Sequence, residues 1–162
     1  MTERVEIRTF EDDDWPAFLP ILQEVARAGE TYAMPSDIAE PEARKFWAGD
    51  HLVTARQGGT LLGSAKMGAN RPAQGAHVGT ASFMVGVRAR GKGAGRALAE
   101  YVVDWHRRSG FRAIQFNAVV ETNTAAVRLW RDLGFEVVGT VPEAFASATH
   151  GRVGLHVMHR YL

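Results

Sequence analysis

Three glycines, Gly91, Gly93 and Gly95, stand at alternating positions between an apolar run, Ala81-Ser82-Phe83-Met84-Val85, and a segment with Leu98, Tyr101, Val102 and Trp105 on one helical face. Arg88, Arg90, Lys92 and Arg96 surround them. These residue types at this spacing make a seat for a phosphorylated ligand. Glycine lets the backbone turn tightly and come close to the ligand. The i, i+3, i+4, i+7 pattern that follows sets a helix start at the loop. There, exposed N–H groups and the helix dipole favour an anion.

Spacing separates the nucleotide motifs that could be built this way. A Walker A loop needs Gly, four residues, then Gly-Lys-Ser/Thr. Gly86 and Lys92 fit that frame, but Gly93 stands where the magnesium-binding hydroxyl belongs, and Thr80 lies upstream, out of register. The dinucleotide fingerprint G-x-G-x-x-G would start at Gly91 and needs glycine at 96, where the chain has Arg96. Its acidic ribose partner, due about 20 residues on, is missing from Phe111-Arg112-Ala113-Ile114-Gln115-Phe116.

The third pattern fits. Arg90-x-x-Gly93-x-Gly95 resembles the pyrophosphate loop, Arg/Gln-x-x-Gly-x-Gly/Ala, of the GNAT superfamily of acyl-CoA-dependent N-acetyltransferases. A second block, from Asn117 through Glu121, Asn123 and Trp130 to Leu133-Gly134-Phe135, is similar to that family's second CoA-side motif. The two blocks follow in the family's order, separated by one helix and one strand, and the resemblance runs along essentially the whole chain.

The resemblance implies an α+β (mixed α/β) fold: a central, mostly antiparallel twisted sheet of six to seven strands with helices on both faces. It implies acetyl-CoA as co-substrate and the primary amine of a small, amino-acid-like molecule as acceptor, attacked directly in a ternary complex. Acetylation of a protein N-terminus or lysine, and a catalytically silent CoA-binding module, are the alternatives. Backbone N–H groups across Arg90, Gly91, Lys92, Gly93, Ala94, Gly95 and Arg96 would hold the pyrophosphate, with Arg90 adding a charge-assisted bond. The pantetheine amides would pair with a strand edge at Met84, Val85 and Val87, as a peptide does. Asn123 resembles the family Asn that bonds the pantetheine arm, and it also reads as a helix N-cap.

Acetyl transfer needs a deprotonated amine, a stabilised thioester oxygen and a leaving thiolate. A strand-end N–H, at Val85 or its neighbour, serves the oxygen. Many family members protonate the thiolate with a Tyr in the helix of the second block, where Trp130 now stands. An indole N–H donates a hydrogen bond but is no acid in water. Trp130 also shares a helical face with Ala126, Leu129 and Leu133, which is a core-packing pattern. Glu30, Glu121 and His150 are the candidate general bases. Glu30 lies in Gly29-Glu30-Thr31-Tyr32-Ala33-Met34-Pro35-Ser36, which resembles a substrate-side loop, and a histidine titrates near neutrality.

The elements that must position these residues are legible from punctuation. Val5–Phe10 alternates as a strand. Asp12, Asp13 and Asp14 before Trp15-Pro16 open a helix that ends near Gly29. A short helix is expected over about 40–48. Leu52–Arg56 and Leu61–Lys66 flank the hairpin signal Gln57-Gly58-Gly59-Thr60. Asn70–Gly75 reads as a polar loop and Ser109-Gly110 as the stop of the long helix. Strands follow at Ala113–Val119, Phe135–Val141 and Val153–Tyr161, with a helix over Thr124–Leu133. Val153–Val157 is a candidate sheet edge at which a second copy could pair as a homodimer.

Composition sets the class. The 162 residues fit one domain, 1–162, with a core of its own. An apolar fraction of 46% and a formal net charge of +1 describe an ordinary globular chain with no global attraction to nucleic acid. Without cysteine there is neither a disulfide framework nor a thiolate metal site. His156 and His159 sit three apart on one strand and so face opposite ways, which argues against a metal pair. No metal and no membrane partner is expected. Met1-Thr2-Glu3-Arg4-Val5-Glu6 has no apolar signal core, so a cytoplasmic protein is the expectation.

Overall fold

Capping and turn chemistry set the element boundaries in the computed structural model, which describes residues 3–162. Met1 and Thr2, the start of the stretch read for a signal segment, lie outside the described residues. In chain order the elements are β1 (Glu6–Thr9), α1 (Trp15–Ala28), α2 (Glu40–Phe46), β2 (His51–Gln57), β3 (Thr60–Ala69), β4 (Val78–Val85), α3 (Ala94–Arg108), β5 (Ala113–Val120), α4 (Thr124–Asp132), β6 (Glu136–Ser147) and β7 (Gly151–Tyr161). Asp12–Asp14 forms a short 3-10 turn that leads into α1. Its Asp14 is buried and ion-paired with Arg56 of β2, tying the start of α1 to the sheet.

The strands form one seven-stranded sheet in the order β1-β2-β3-β4-β5-β7-β6. Every neighbouring pair is antiparallel except β4 with β5. Helices cover both faces, as the mixed α/β reading expects. On one face α1 and α2 bury Trp15, Phe18, Leu22, Ala43 and Trp47 against Leu61 and Met84 of the sheet. On the other, α3 packs Leu98 and Val102 on Val53, Ala55, Ala65 and Met67. On that same face α4 adds Trp130 to a cluster with Ile114, Phe116 and Phe135. Burial of these side chains, each worth roughly 1.5–3 kcal/mol when complete, fixes the register of the strands between the two helix layers.

One expectation is overturned. β7 is no edge strand: it lies between β5 and β6, so Val153–Val157 is closed on both sides. The reason is the length of β6, which continues past Val141 to Ser147 and folds back on β7 as a hairpin. Pro142 sits inside a register shift between Val141 and Phe145, and Glu143 takes a φ of +51°. Proline has no N–H to give to a ladder and belongs at edges and bulges, which fits β6 as the outer strand.

Candidate active site

The parallel pair at the centre of the sheet makes the site. β4 and β5 are each eight residues long, but they pair only at Val78 with Ala113 and Gly79 with Ile114. Beyond that point they part. An aromatic wedge fills the fork on the α4 face: Phe83 lies 4.6 Å from Trp130 and 5.9 Å from Phe116, and Phe116 stacks on Phe135 at 4.5 Å. From Thr80 to Val85 the edge of β4 away from β3 has no strand partner among the described residues, a length of about 20 Å at strand rise. Gly86 donates to Leu62 of β3, at 2.9 Å. Because strand backbone groups alternate in direction, Phe83 and Val85 turn theirs the opposite way, into the fork.

At the mouth of the fork the chain makes the glycine loop. Ala89 donates to Gly86 at 2.9 Å and Lys92 to Ala89 at 3.3 Å, closing the turns. Gly91 and Gly93 take φ of +76° and +82°, a region where a side chain is strained. Gly93 then caps α3, and the first helical bond runs from Ala97 to Gly93 at 3.0 Å. The N–H groups of Ala94, Gly95 and Arg96 are therefore the unpaired ones that a helix start offers to an anion. Arg88, Arg90 and Lys92 are exposed around it, while Arg96 is engaged by Asp132 at 3.0 Å. A cleft of about 560 Å³ continues beside Gly91 and Lys92, walled by Glu3, Arg4, Val5 and Gln57.

The strand residues divide by direction. Val87 is 44% exposed at the loop, and Val85 borders the fork. Met84 is buried against the α1–α2 layer, and its backbone faces β3. Asn123 caps α4, its side-chain oxygen accepting from Ala126 N–H at 3.4 Å. Trp130 is 6% exposed and belongs to the wedge.

A second cluster forms where α1 ends. Gly29 closes the helix with φ +65° and its carbonyl accepts from Ala148 N–H at 3.1 Å, docking the helix end on the β6–β7 turn. Glu30 then accepts from the Ser147 hydroxyl at 2.5 Å and from the Thr149 N–H and hydroxyl at 3.0 and 2.9 Å. These bonds, Ser147's first, hold its carboxyl below the usual carboxylate value. His150 Nδ1 lies 3.8 Å from Glu30 Oε2 and 2.9 Å from the Thr149 hydroxyl. Glu30 and His150, 120 residues apart in sequence, thus share one site. Glu121 does not join them: it accepts from Gly154 N–H at 2.6 Å and ties the end of β5 to β7.

Ser147 and Thr149 carry this site and were not singled out by sequence. The Ser147-Ala148-Thr149-His150 run, two hydroxyls beside a histidine before the last strand, is the signal that could have found them. His156 bonds Thr140 at 2.7 Å while His159 packs on Tyr161, so the two do not meet.

Comparisons with known proteins bear on the fold and its family. Residues 7–135 match the model of the Acetyltransferase (GNAT) family. A solved GCN5-related N-acetyltransferase from Kribbella flavida is 56% identical, covers 98% of both chains and superposes with a TM-score of 0.93. A phosphinothricin acetyltransferase from Sinorhizobium meliloti, solved with AcCoA, is 26% identical with a TM-score of 0.86, covering 100% of this chain and 89% of its own. The L-methionine sulfoximine/L-methionine sulfone acetyltransferase of Pseudomonas aeruginosa is 33% identical over 140 residues, 80% of this chain and 79% of its own length. The chain spans only 11% and 41% of the relatives it matches in Saccharomyces cerevisiae and Schizosaccharomyces pombe, at 37% and 35% identity over 73 and 85 residues.

Proposed function

Because the chain belongs to the acetyltransferase (GNAT) family, we propose that it moves the acetyl group of acetyl-CoA to the primary amine of a small, amino-acid-like molecule. The observation that carries this reading is the fork: a strand edge that β5 leaves after two pairs and that opens directly onto the start of α3. In this reading the pyrophosphate sits on the N–H groups from Gly91 to Arg96, with Arg90 and Lys92 supplying charge. The pantetheine amides run along the β4 edge, and Asn123 borders the arm from the start of α4. The thioester then reaches the stretch between Phe83 and Val85. The relatives named for methionine sulfoximine and phosphinothricin support an amino-acid-like acceptor.

The acceptor approaches from the Glu30 side. Its nitrogen attacks the thioester carbon, the C–N bond forms, and the C–S bond breaks with its electron pair leaving on sulfur. Glu30, kept ionised by Ser147 and Thr149, is a weak proton acceptor and suits holding a cationic ammonium. His150 takes the proton through Nε2, since the contacts to Glu30, Ser147 and Thr149 all involve Nδ1.

Thiol release from acetyl-CoA tests the reading across methionine sulfoximine, phosphinothricin, the free amino acids and short peptides. Turnover with the amino-acid-like amines is expected. CoA binding without release for any amine would make the protein a binding module, and release with peptides alone would make it a protein modifier.

A further inference from the structure

Tyr32 has no task in the scheme above, yet its hydroxyl lies on the open edge of β4. The residue sits in the loop between α1 and α2, two positions after Glu30. Its ring is set edge-on to Phe46 and Trp47, at 6.0 and 6.5 Å between centroids. The hydroxyl crosses from that face into the fork. It donates to the Phe83 carbonyl at 2.6 Å and accepts from the Phe83 N–H at 2.8 Å. One hydroxyl thus fills both backbone positions of a residue that a neighbouring strand would otherwise pair.

We infer that the Tyr32 hydroxyl is a catalytic group: with the Phe83 N–H it forms a two-donor seat for the thioester carbonyl oxygen. This rests on the proposed course of acetyl-CoA along β4. When the carbonyl oxygen enters, the Phe83 N–H passes from the Tyr32 oxygen to the ligand. The Tyr32 proton turns from the Phe83 carbonyl to the same oxygen. As the amine attacks, the carbonyl π pair moves onto that oxygen and both hydrogen bonds strengthen. The pair returns as the C–S bond breaks. Tyr32 gives up no proton at any step, consistent with burial pushing its phenol up to about 12. The donor therefore comes from the α1–α2 loop, and α4 contributes Trp130 to the wedge instead.

The test reads the bound carbonyl directly and needs no acceptor. Acetyl-CoA labelled with 13C at the carbonyl is bound to the wild type and to Tyr32→Phe, and the carbonyl resonance and stretch are recorded. Two donors should move the resonance downfield and the stretch to lower frequency than in free acetyl-CoA. Tyr32→Phe should return at least half of both shifts, while affinity for CoA, which has no carbonyl there, stays within threefold. With an amine that turns over, kcat should fall about 10²–10³-fold, the usual loss for one oxyanion donor, with KM for acetyl-CoA little changed. A 3,5-difluorotyrosine at position 32 keeps the ring and strengthens the donor, and it should shift the carbonyl further in the wild-type direction. Identical carbonyl signals in wild type and Tyr32→Phe would overturn the role of Tyr32 and leave the donor reading standing. Failure of the wild type to bind acetyl-CoA would remove the donor reading, and this inference with it.

Discussion

Gly95→Val separates the fold of the glycine loop from its binding. A Cβ at Gly95 would meet Leu129 Cδ2 and Val85 Cγ2, each at 4.0 Å, which is ordinary contact. The valine methyls extend about one bond, ~1.5 Å, further, into the gap between β4 and α4 where the ligand is placed. Glycine is about 1 kcal/mol worse than alanine inside a helix and valine up to ~0.7 worse. The exchange at the second position of α3 therefore changes stability by only a few tenths of a kcal/mol. For a chain of 162 residues, 1 kcal/mol corresponds to about 2–4 °C in Tm, so the melting point should move by about 1 °C. Binding should respond differently. Two hydrogen bonds to a charged pyrophosphate, at about 1.5–3 kcal/mol each, amount to a roughly 10²–10⁴-fold loss in CoA affinity. Calorimetry with CoA gives the affinity, and a thermal melt at 100-fold excess over the wild-type Kd gives a second reading. The wild type should gain about 2.7 kcal/mol there, and the variant almost none. Gly93→Val is the poorer probe, because φ of +82° at that position strains any side chain by about 1–2 kcal/mol. Wild-type affinity in Gly95→Val at an unchanged melting point would refute the placement of the pyrophosphate at this helix start.

Trp130→Ala should cost about 3–5 kcal/mol, since it empties a buried aromatic site touching Phe83, Phe116 and Phe135, and urea unfolding would show it as a lower midpoint. Stability should fall as the pH drops below about 6.5. Burial lowers the proton affinity of His106 and of His51. The unfolded chain therefore binds protons from its ordinary histidine value downward, while the folded state does not until the pH reaches the depressed folded values. Unfolding midpoints that stay level or rise between pH 7.5 and 5.5 would contradict that assignment.

The parts of the molecule fixed by neighbours in sequence were legible, and those fixed by distant pairing were not. Gly58-Gly59 joined β2 to β3 as a hairpin because positive φ at both positions, +56° and +80°, is a local demand. Gly134, with φ +86°, follows α4 for the same reason. The fork has no such signature. It exists because β4 and β5 lose their ladder after two pairs, and the wedge that holds them apart draws on Phe83, Phe116 and the Trp130–Phe135 segment, three separate stretches of chain. Trp130 carried a helical core pattern in the sequence, but not the information that its partners stand in a gap. The sequence reads as a strand only as far as Val141, before Pro142, and leaves Val153–Val157 as a candidate edge. The ladder instead skips Pro142 at a bulge and resumes with Phe145 paired to Val153. Glu30 and His150 were each visible as titratable residues near loops, whereas their meeting depends on the Gly29 carbonyl docking on Ala148.

The two faces of the fork divide the work between different aromatic groups, and this bears on the Trp at the position where many family members place a Tyr. On the α4 face the fork must be filled, or the strands would close and the β4 edge would find a partner in β5. A residue that fills it with its ring tilted against both Phe83 and Phe116, at 4.6 Å to each, is poorly placed to turn a polar tip toward a ligand. On the α2 face the demand is reversed. Tyr32 is gripped through its ring by Phe46 and Trp47, and only the hydroxyl projects into the gap. Its hydroxyl donates to the Phe83 carbonyl and accepts from the Phe83 N–H, bonds that an entering carbonyl oxygen can replace. Substituting a tyrosine at 130 would therefore loosen the wedge without supplying an aimed hydroxyl, whereas removing the hydroxyl at 32 leaves the wedge untouched. The aromatic residue that keeps the fork open and the one that faces the reacting carbonyl are separate side chains, on opposite sides of the same strand.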